Sequence, residues 1–135
     1  MEHIQNPKLF IKKIIDSLTP KGRFIIEVPN VDDPLLSVYN IEEFMKFYWY
    51  PYHLYYYSKQ TLNNIMAQFE EINYKIKLRQ RYGLINHLRW FIKGKPGTYN
   101  KKIYLLDNIY IFCLNNILNV SDTLIIHGEK NEINE

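Results

Sequence analysis

The chain has 135 residues, of which 47% are hydrophobic and 23% charged, with a net charge of +3. This length predicts one globular domain, and the apolar fraction excludes a disordered chain. The single cysteine, Cys113, excludes an internal disulfide framework and, with no apolar leader visible after Met1, favours a cytoplasmic location.

The first thirty residues predict a helix followed by a strand. Asn6 is a good N-cap and Pro7 suits the first helical position. Apolar residues then recur at four-residue spacing until Pro20 and Gly22 end the helix. The apolar run 23–29 predicts an inner strand that is buried and parallel to its neighbours.

An aromatic segment occupies the middle of the chain. A polar loop over 30–34 and a helix or turn over 38–47 precede it. Eight of the eleven residues in 47–57 are aromatic, which predicts either a lid packed on the sheet or a surface that stacks on a planar ligand. A helix over 59–69 follows, and strict alternation over 71–81 predicts a half-buried strand.

The last third predicts a helical insertion over 84–120 and a final strand over 121–129. Within the insertion, the pattern over 101–120 predicts one long helix that is apolar over most of its surface. Asp107 and several asparagines argue against a membrane span, which leaves a buried or interface helix or contact with a membrane surface. We expect residues 1–130 to form the domain and the polar tail 131–135 to fray.

Nine lysines and arginines lie between Lys75 and Lys102 with no acidic residue among them. A basic block of this kind attracts anionic partners, or it is the solvated face of a strand. Because the strand over 71–81 accounts for much of the block, we expect no nucleic-acid binding.

Metal, nucleophile and phosphate motifs are not apparent. The four histidines, at 3, 53, 87 and 127, are far apart in sequence and have no cysteine partners, so we expect no metal site. The glycines form neither a phosphate loop nor a dinucleotide fingerprint, and no serine nucleophile elbow occurs.

Several short motifs occur in a characteristic order. They are EHIQNP at 2–7, LTPKGR at 18–23, EVPN at 27–30, HLYYYS at 53–58, RYGLINHL at 81–88, GKPG at 94–97 and SDT at 121–123. In this order they resemble the second half of a class I S-adenosylmethionine-dependent methyltransferase, of a branch that acts on small molecules or glycans.

The resemblance implies an α/β, partial Rossmann-like fold with a three-stranded mixed sheet. Its strands are the inner strand 23–29, the strand 71–81 and the last strand 121–129, which lies between the other two and antiparallel to both. The glycine-rich loop and the acidic residue that bind the cofactor would precede Met1. We therefore expect the chain alone to bind S-adenosylmethionine weakly or not at all.

The resemblance also assigns candidate site residues. His53 is the candidate catalytic base, because its usual pKa is near neutrality, although a packed histidine is the alternative. Glu2 and His3 would lie at the edge of the cofactor crevice. Asn30 ends the inner strand, where it contacts substrate or makes a turn.

Four further residues are candidates for substrate binding. Tyr55 and Tyr56 are placed to stack on a planar acceptor or a sugar. Arg81 and His87 would meet an anionic acceptor, or they form a hydrogen-bonded corner between strand and helix.

Two functions stay open at this point. The first is the substrate-side half of a methyltransferase, which is inactive alone and takes a small-molecule or glycan acceptor. The second is a non-catalytic binding or assembly module with the same partial fold and a basic face. Because the inner strand would have an open edge, both predict a homo-oligomer or a partner that supplies the missing half.

Overall fold

The computed structural model describes residues 1–96 and 104–132. The helices are α1 (Pro7–Ser17), α2 (Pro34–Ser37), α3 (Glu42–Tyr48), α4 (Lys59–Met66), α5 (Leu84–Lys93) and α6 (Tyr104–Phe112). A π-helical turn, Cys113–Ile117, continues directly from α6, and the strands are β1 (Arg23–Pro29), β2 (Ile72–Arg79) and β3 (Thr123–Lys130). No helix of the described residues is long and apolar enough to cross a membrane.

The three strands form one sheet in the order β1-β3-β2. The strand β3 is antiparallel to both neighbours, with Ile26 and Ile76 opposite Ile126. The predicted α/β fold, strand order and strand directions are therefore confirmed. The sheet is mixed only in that β1 and β2, which are not neighbours, run parallel to each other.

One face of the sheet carries the main core. The helices α1 and α4 pack there through Ile11, Ile15, Leu62 and Met66, which contact Ile126 and its neighbours. The opposite face of the sheet is open among the described residues, and Ile25 in β1 is 67% exposed. Among the described residues, β1 alternates between buried and exposed residues and pairs antiparallel with β3. The expectation drawn from the apolar run alone, a buried strand parallel to its neighbours, was therefore wrong, whereas the antiparallel pairing that the resemblance implied is confirmed.

The helix ends follow the sequence closely. Asn6 caps α1 by accepting a hydrogen bond from the backbone N–H of Leu9, with Pro7 at the first helical position. Ser58 and Thr61 form a capping box at the start of α4. Gly94 ends α5 in the left-handed conformation.

Two helical predictions differ from the structure. The segment expected to be helical over 38–47 becomes helical only at Glu42, because Asn40 has a positive φ of 52° and turns the chain between α2 and α3. The long helix expected over 101–120 ends as α6 at Phe112, where the π-helical turn begins. Residues 101–103 and most of the tail, 133–135, lie outside the described residues.

One edge of β1 carries unpaired backbone groups. The pairs Gly22–Lys130 and Asn30–Asp122 are hydrogen-bonded between the strands. Because hydrogen-bonded pairs alternate in an antiparallel ladder, the N–H and C=O groups of Arg23, Ile25 and Glu27 turn away from β3. Among the described residues, β1 pairs only with β3.

Candidate functional site

A cavity of about 590 Å³ lies where β1 and β2 end and β3 begins. Pro29, Arg81 and Asp122 mark these strand ends in its wall. The aromatic lining residues are Phe44, Phe47, Tyr48, Tyr50, Tyr82 and Trp90, and the polar ones are Asp33, His53, Arg81, Asn86, His87 and Asp122. In α/β sheets, ligands bind in the crevice at the carboxyl ends of the strands, and this cavity has that position.

A small second core forms one wall of the cavity. It joins α2, α3 and α5 through Leu35, Phe44 and Trp90. The rings of Phe44 and Trp90 meet edge to face, with their centroids 5.0 Å apart. This arrangement is favourable for aromatic pairs and holds α5 beside the strand ends.

Asp122 is the buried centre of a hydrogen-bond network at the cavity. Its carboxylate accepts hydrogen bonds from the backbone N–H groups of Arg81 and Tyr82, at 2.7 and 3.1 Å. It also accepts one from Nε of Arg81, at 3.2 Å, while the guanidinium lies 3.5 Å from Glu27. The charge of Arg81 is therefore balanced by two carboxylates of the chain.

His87 is also buried in this network, and both ring nitrogens have partners. Gln80 donates through Nε2 to His87 Nε2 at 3.2 Å, and His87 Nδ1 lies 2.5 Å from the hydroxyl of Tyr110. Tyr110 in turn contacts the hydroxyl of Tyr39. Because Gln80 Nε2 can only donate, Nδ1 carries the ring proton. Burial lowers the pKa of His87 to about 4, so the ring is neutral at pH 7.

Asp33 is a buried carboxyl group in the cavity wall that the sequence predictions did not include. It is only 4% exposed and caps α2, accepting a hydrogen bond from the backbone N–H of Leu35 at 2.8 Å. Burial, aided by the nearby charge of Asp122, raises the pKa of Asp33 to about 7. The hydrogen bond from Leu35 opposes this shift without cancelling it. Such a group exchanges a proton readily near neutral pH.

His53 lies in the cavity wall, as its predicted catalytic role requires. Its ring contacts those of Tyr50 and Tyr56 at centroid distances of 5.9 and 5.4 Å. Its Nδ1 atom is buried and has no hydrogen-bond partner among the described residues.

Glu2 and His3, the predicted cofactor contacts, lie beside His53 outside the cavity lining. The backbone carbonyl of Glu2 accepts hydrogen bonds from the N–H groups of Leu54 and Tyr55, which joins the two segments. Burial alone would raise the pKa of Glu2, but hydrogen bonds, chiefly from the Met1 ammonium, hold it below its usual value. The rings of His3 and His53 are 4.8 Å apart.

The other predicted substrate contacts hold the fold together at the cavity's edge. Asn30 is buried, donates to the Ser121 carbonyl at 2.9 Å and accepts from the N–H of Asp32. The hydroxyl of Tyr55 donates to the backbone carbonyl of Gln5, and the hydroxyl of Tyr56 contacts the backbone carbonyls of Tyr48 and Tyr50. Asn30, Tyr55 and Tyr56 do not form part of the cavity lining, whereas Arg81 and His87 do.

Comparison with known proteins identifies the family. The profile of the methyltransferase domain family matches residues 1–74, more than half of the 135 residues. The chain belongs to the methyltransferase domain family. The resemblance inferred from the sequence motifs is thus confirmed.

A solved structure has the same fold as this methyltransferase-family chain. It is a SAM-dependent methyltransferase from Archaeoglobus fulgidus, which matches 96% of the chain with a TM-score of 0.52 and 19% identity. The chain spans 55% of the length of that protein. No curated protein matches the chain.

The residues that sequence reasoning missed carried only weak signals. Asp33 precedes Pro34, a pairing typical of a helix start, but nothing in the sequence indicated that the carboxyl is buried beside a cavity. Asp122 belongs to the SDT motif, which marked the last strand and not the network around Arg81.

Proposed function

We propose that the chain forms the acceptor side of a SAM-dependent methyltransferase site and binds a small molecule or glycan that presents a hydroxyl group. The observation that carries this proposal is the cavity at the strand ends, which combines the buried carboxyl of Asp33 with aromatic walls. Its position agrees with the ligand crevice of α/β folds.

The walls of the cavity favour an uncharged acceptor with a flat ring. Phe44, Tyr48 and Trp90 offer apolar faces and edges that suit an aromatic ring or the apolar face of a sugar. Arg81 is already paired with Asp122 and Glu27, and His87 is neutral. These pairings leave little positive charge for an anionic acceptor.

Asp33 is the group that we assign to proton uptake. In methyl transfer from a sulfonium donor to a hydroxyl, the S–C bond breaks as the new O–C bond forms, the donor leaves as a neutral thioether, and the hydroxyl loses its proton. A base of pKa near 7 accepts that proton at physiological pH. Asp33 has this property and lines the cavity. His53, the base expected from sequence, lines the same cavity and is the second candidate.

The described glycines offer no cradle for the adenosine part of the methyl donor. Each described glycine already serves the fold. Gly22 packs against Thr19, Gly83 packs against Asp107, Gly94 ends a helix and Gly128 packs against Phe24. None of them forms a glycine-rich loop beside the cavity. We propose that another segment or subunit supplies the cofactor cradle, and that the described part binds S-adenosylmethionine weakly or not at all.

We propose that this segment or subunit binds at the open edge of β1. Arg23, Ile25 and Glu27 present backbone donors and acceptors there, and Ile25 is largely exposed. A strand of a second copy, or of a polypeptide carrying the cofactor half, can pair with this edge.

The alternative function, a non-catalytic assembly module, is favoured by one surface. The helices α5 and α6 expose Phe91, Ile92, Leu105, Ile109 and Phe112, each at least 56% accessible. Exposed apolar side chains on this scale are typical of protein or membrane contact sites. Under this alternative the cavity binds no acceptor.

Tryptophan fluorescence distinguishes the two functions. Trp90 lines the cavity and is 4% exposed, whereas Trp49 is about half exposed. In a Trp49→Phe variant, Trp90 is the only tryptophan and reports binding in the cavity. We expect hydroxylated aromatic compounds or sugars from an acceptor panel to change its emission saturably. Asp33→Asn should alter the affinity without unfolding the chain, and no response to any member of the panel would favour the assembly module.

A further inference from the structure

Glu2, His3 and His53 form a cluster of metal-ligating side chains next to the cavity. One potential ligand atom from each residue lies within 4.8 Å of the others. The backbone hydrogen bonds from Leu54 and Tyr55 to the Glu2 carbonyl hold the two contributing segments together. The cluster therefore depends on the fold and is not visible in the spacing of the sequence.

The ring of His3 is oriented as a ligand would be. Its Nδ1 lies 2.9 Å from the carbonyl oxygen of Tyr52, which can only accept, so Nδ1 carries the proton. In the neutral ring, Nε2 then has an open lone pair, and it lies 3.8 Å from Oε1 of Glu2. A histidine that ligates a metal usually donates its other N–H to such a carbonyl.

His53 supplies the second observation. Its Nδ1 atom is buried without a hydrogen-bond partner among the described residues, which is an unfavourable state for a polar atom. Glu2 completes the set, because Oε2 is held by the Met1 ammonium at 2.9 Å while Oε1 faces His3. An ion between the three side chains would be held by one ligand atom from each of them.

We propose that Glu2, His3 and His53 bind one divalent transition-metal ion, such as Zn²⁺, Mn²⁺ or Co²⁺. Two imidazoles and one carboxylate suit these ions and leave coordination positions open. Metal–ligand bonds of about 2.1 Å place ligand atoms roughly 3–3.5 Å apart. Because the ligand atoms of the cluster are up to 4.8 Å apart, they would approach one another by up to roughly 1.5 Å on binding.

A bound ion would lie at the wall of the cavity, because His53 lines it, and His53 would then serve as a ligand and leave proton uptake to Asp33. The open positions of the ion can hold the hydroxyl oxygen of the acceptor and make that proton easier to remove. This use rests on the proposed function, whereas the binding of the ion does not. The proposal replaces the expectation of no metal that sequence spacing suggested.

The test is calorimetric titration of the untagged, metal-stripped chain with Zn²⁺ and with Co²⁺, together with the visible absorption of Co²⁺. We expect one ion per chain and an absorption band from nitrogen and oxygen ligands. His53→Gln and Glu2→Gln should each weaken binding by at least about tenfold. His127→Gln is the matched control, because this histidine lies on the sheet opposite Ile25, away from the cluster.

Three results would overturn the proposal: no saturable binding of one equivalent, an equal loss in His127→Gln, or unchanged affinity in both cluster variants. If circular dichroism shows that His53→Gln does not fold, Glu2→Gln decides alone. Because these readouts need no acceptor and no methyl donor, a failure of the proposed methyltransferase function leaves them unaffected.

Discussion

Replacing Asp33 by asparagine should change how the stability of the chain depends on pH. The carboxyl is 4% exposed, and its pKa rises from 3.8 to about 7 on folding, chiefly by burial. The folded state therefore binds more protons than the unfolded state between these two pH values. Asp33 favours the folded state below pH 3.8, and this contribution is lost as the pH rises through 7.

The size of the effect follows from the shift. The difference between 3.8 and about 7 is close to three pKa units, each worth about 1.36 kcal/mol, which gives an upper limit of about 4 kcal/mol. Asparagine keeps the helix cap of α2, because it caps helices as well as aspartate does. The Asp33→Asn variant should therefore gain up to about 4 kcal/mol over the wild type between pH 4 and pH 8.

Urea denaturation at several pH values, followed by circular dichroism, measures this difference. Asp32→Asn is the matched control, since it removes the neighbouring carboxylate, which is not part of the cavity lining. Any effect of other titrating groups, including His87, cancels between variant and wild type unless they couple to Asp33. A free-energy difference that stays constant from pH 4 to pH 8 would refute the assignment of Asp33 as a buried, readily protonated carboxyl.

Three further predictions concern the network, the core and the sheet edge. The pKa of His87 falls from 6.5 to about 4 on folding. The free energy of unfolding of the wild type should therefore fall by up to about 3 kcal/mol as the pH drops across this range. Acid denaturation of His87→Gln should not show this decrease. Gly128→Ala places a methyl group against the ring of Phe24 and should lower the free energy of unfolding by about 1–3 kcal/mol. Additive effects of Gly128→Ala and Phe24→Leu in a double-mutant cycle would contradict this contact. Ile25→Pro removes an N–H group on the open edge of β1 and should abolish self-association, measured by light scattering, while the chain stays folded. Ile26→Pro, the control, should unfold the chain. A wild type that is strictly monomeric would contradict the prediction that this edge pairs with another chain.

Much of the fold could be predicted because local signals and packing agree. Asn6–Pro7 and Ser58 mark the starts of helices through their capping chemistry. The alternation of apolar and polar residues over Ile72–Arg79 indicates a strand with one solvent-exposed face. The strand order came from the family resemblance, since the pairing of β1 with a strand about a hundred residues later leaves no local trace.

The candidate site was predicted only in part, because it depends on contacts between distant segments. His53, Arg81 and His87 were singled out and line the cavity. Asp33 was missed, since burial that shifts the pKa of a loop carboxyl arises only when α2, α3 and α5 pack together. The approach of Glu2 and His3 to His53 joins residues fifty positions apart, which no spacing rule for metal ligands anticipates.

The central claim is that the described residues supply the acceptor side of a methyltransferase site and no cofactor cradle. Calorimetric titration of the purified chain with S-adenosylmethionine and S-adenosylhomocysteine tests it most directly. We predict no saturable binding by the chain alone at concentrations up to about 0.1 mM. A micromolar dissociation constant for either compound would contradict the account.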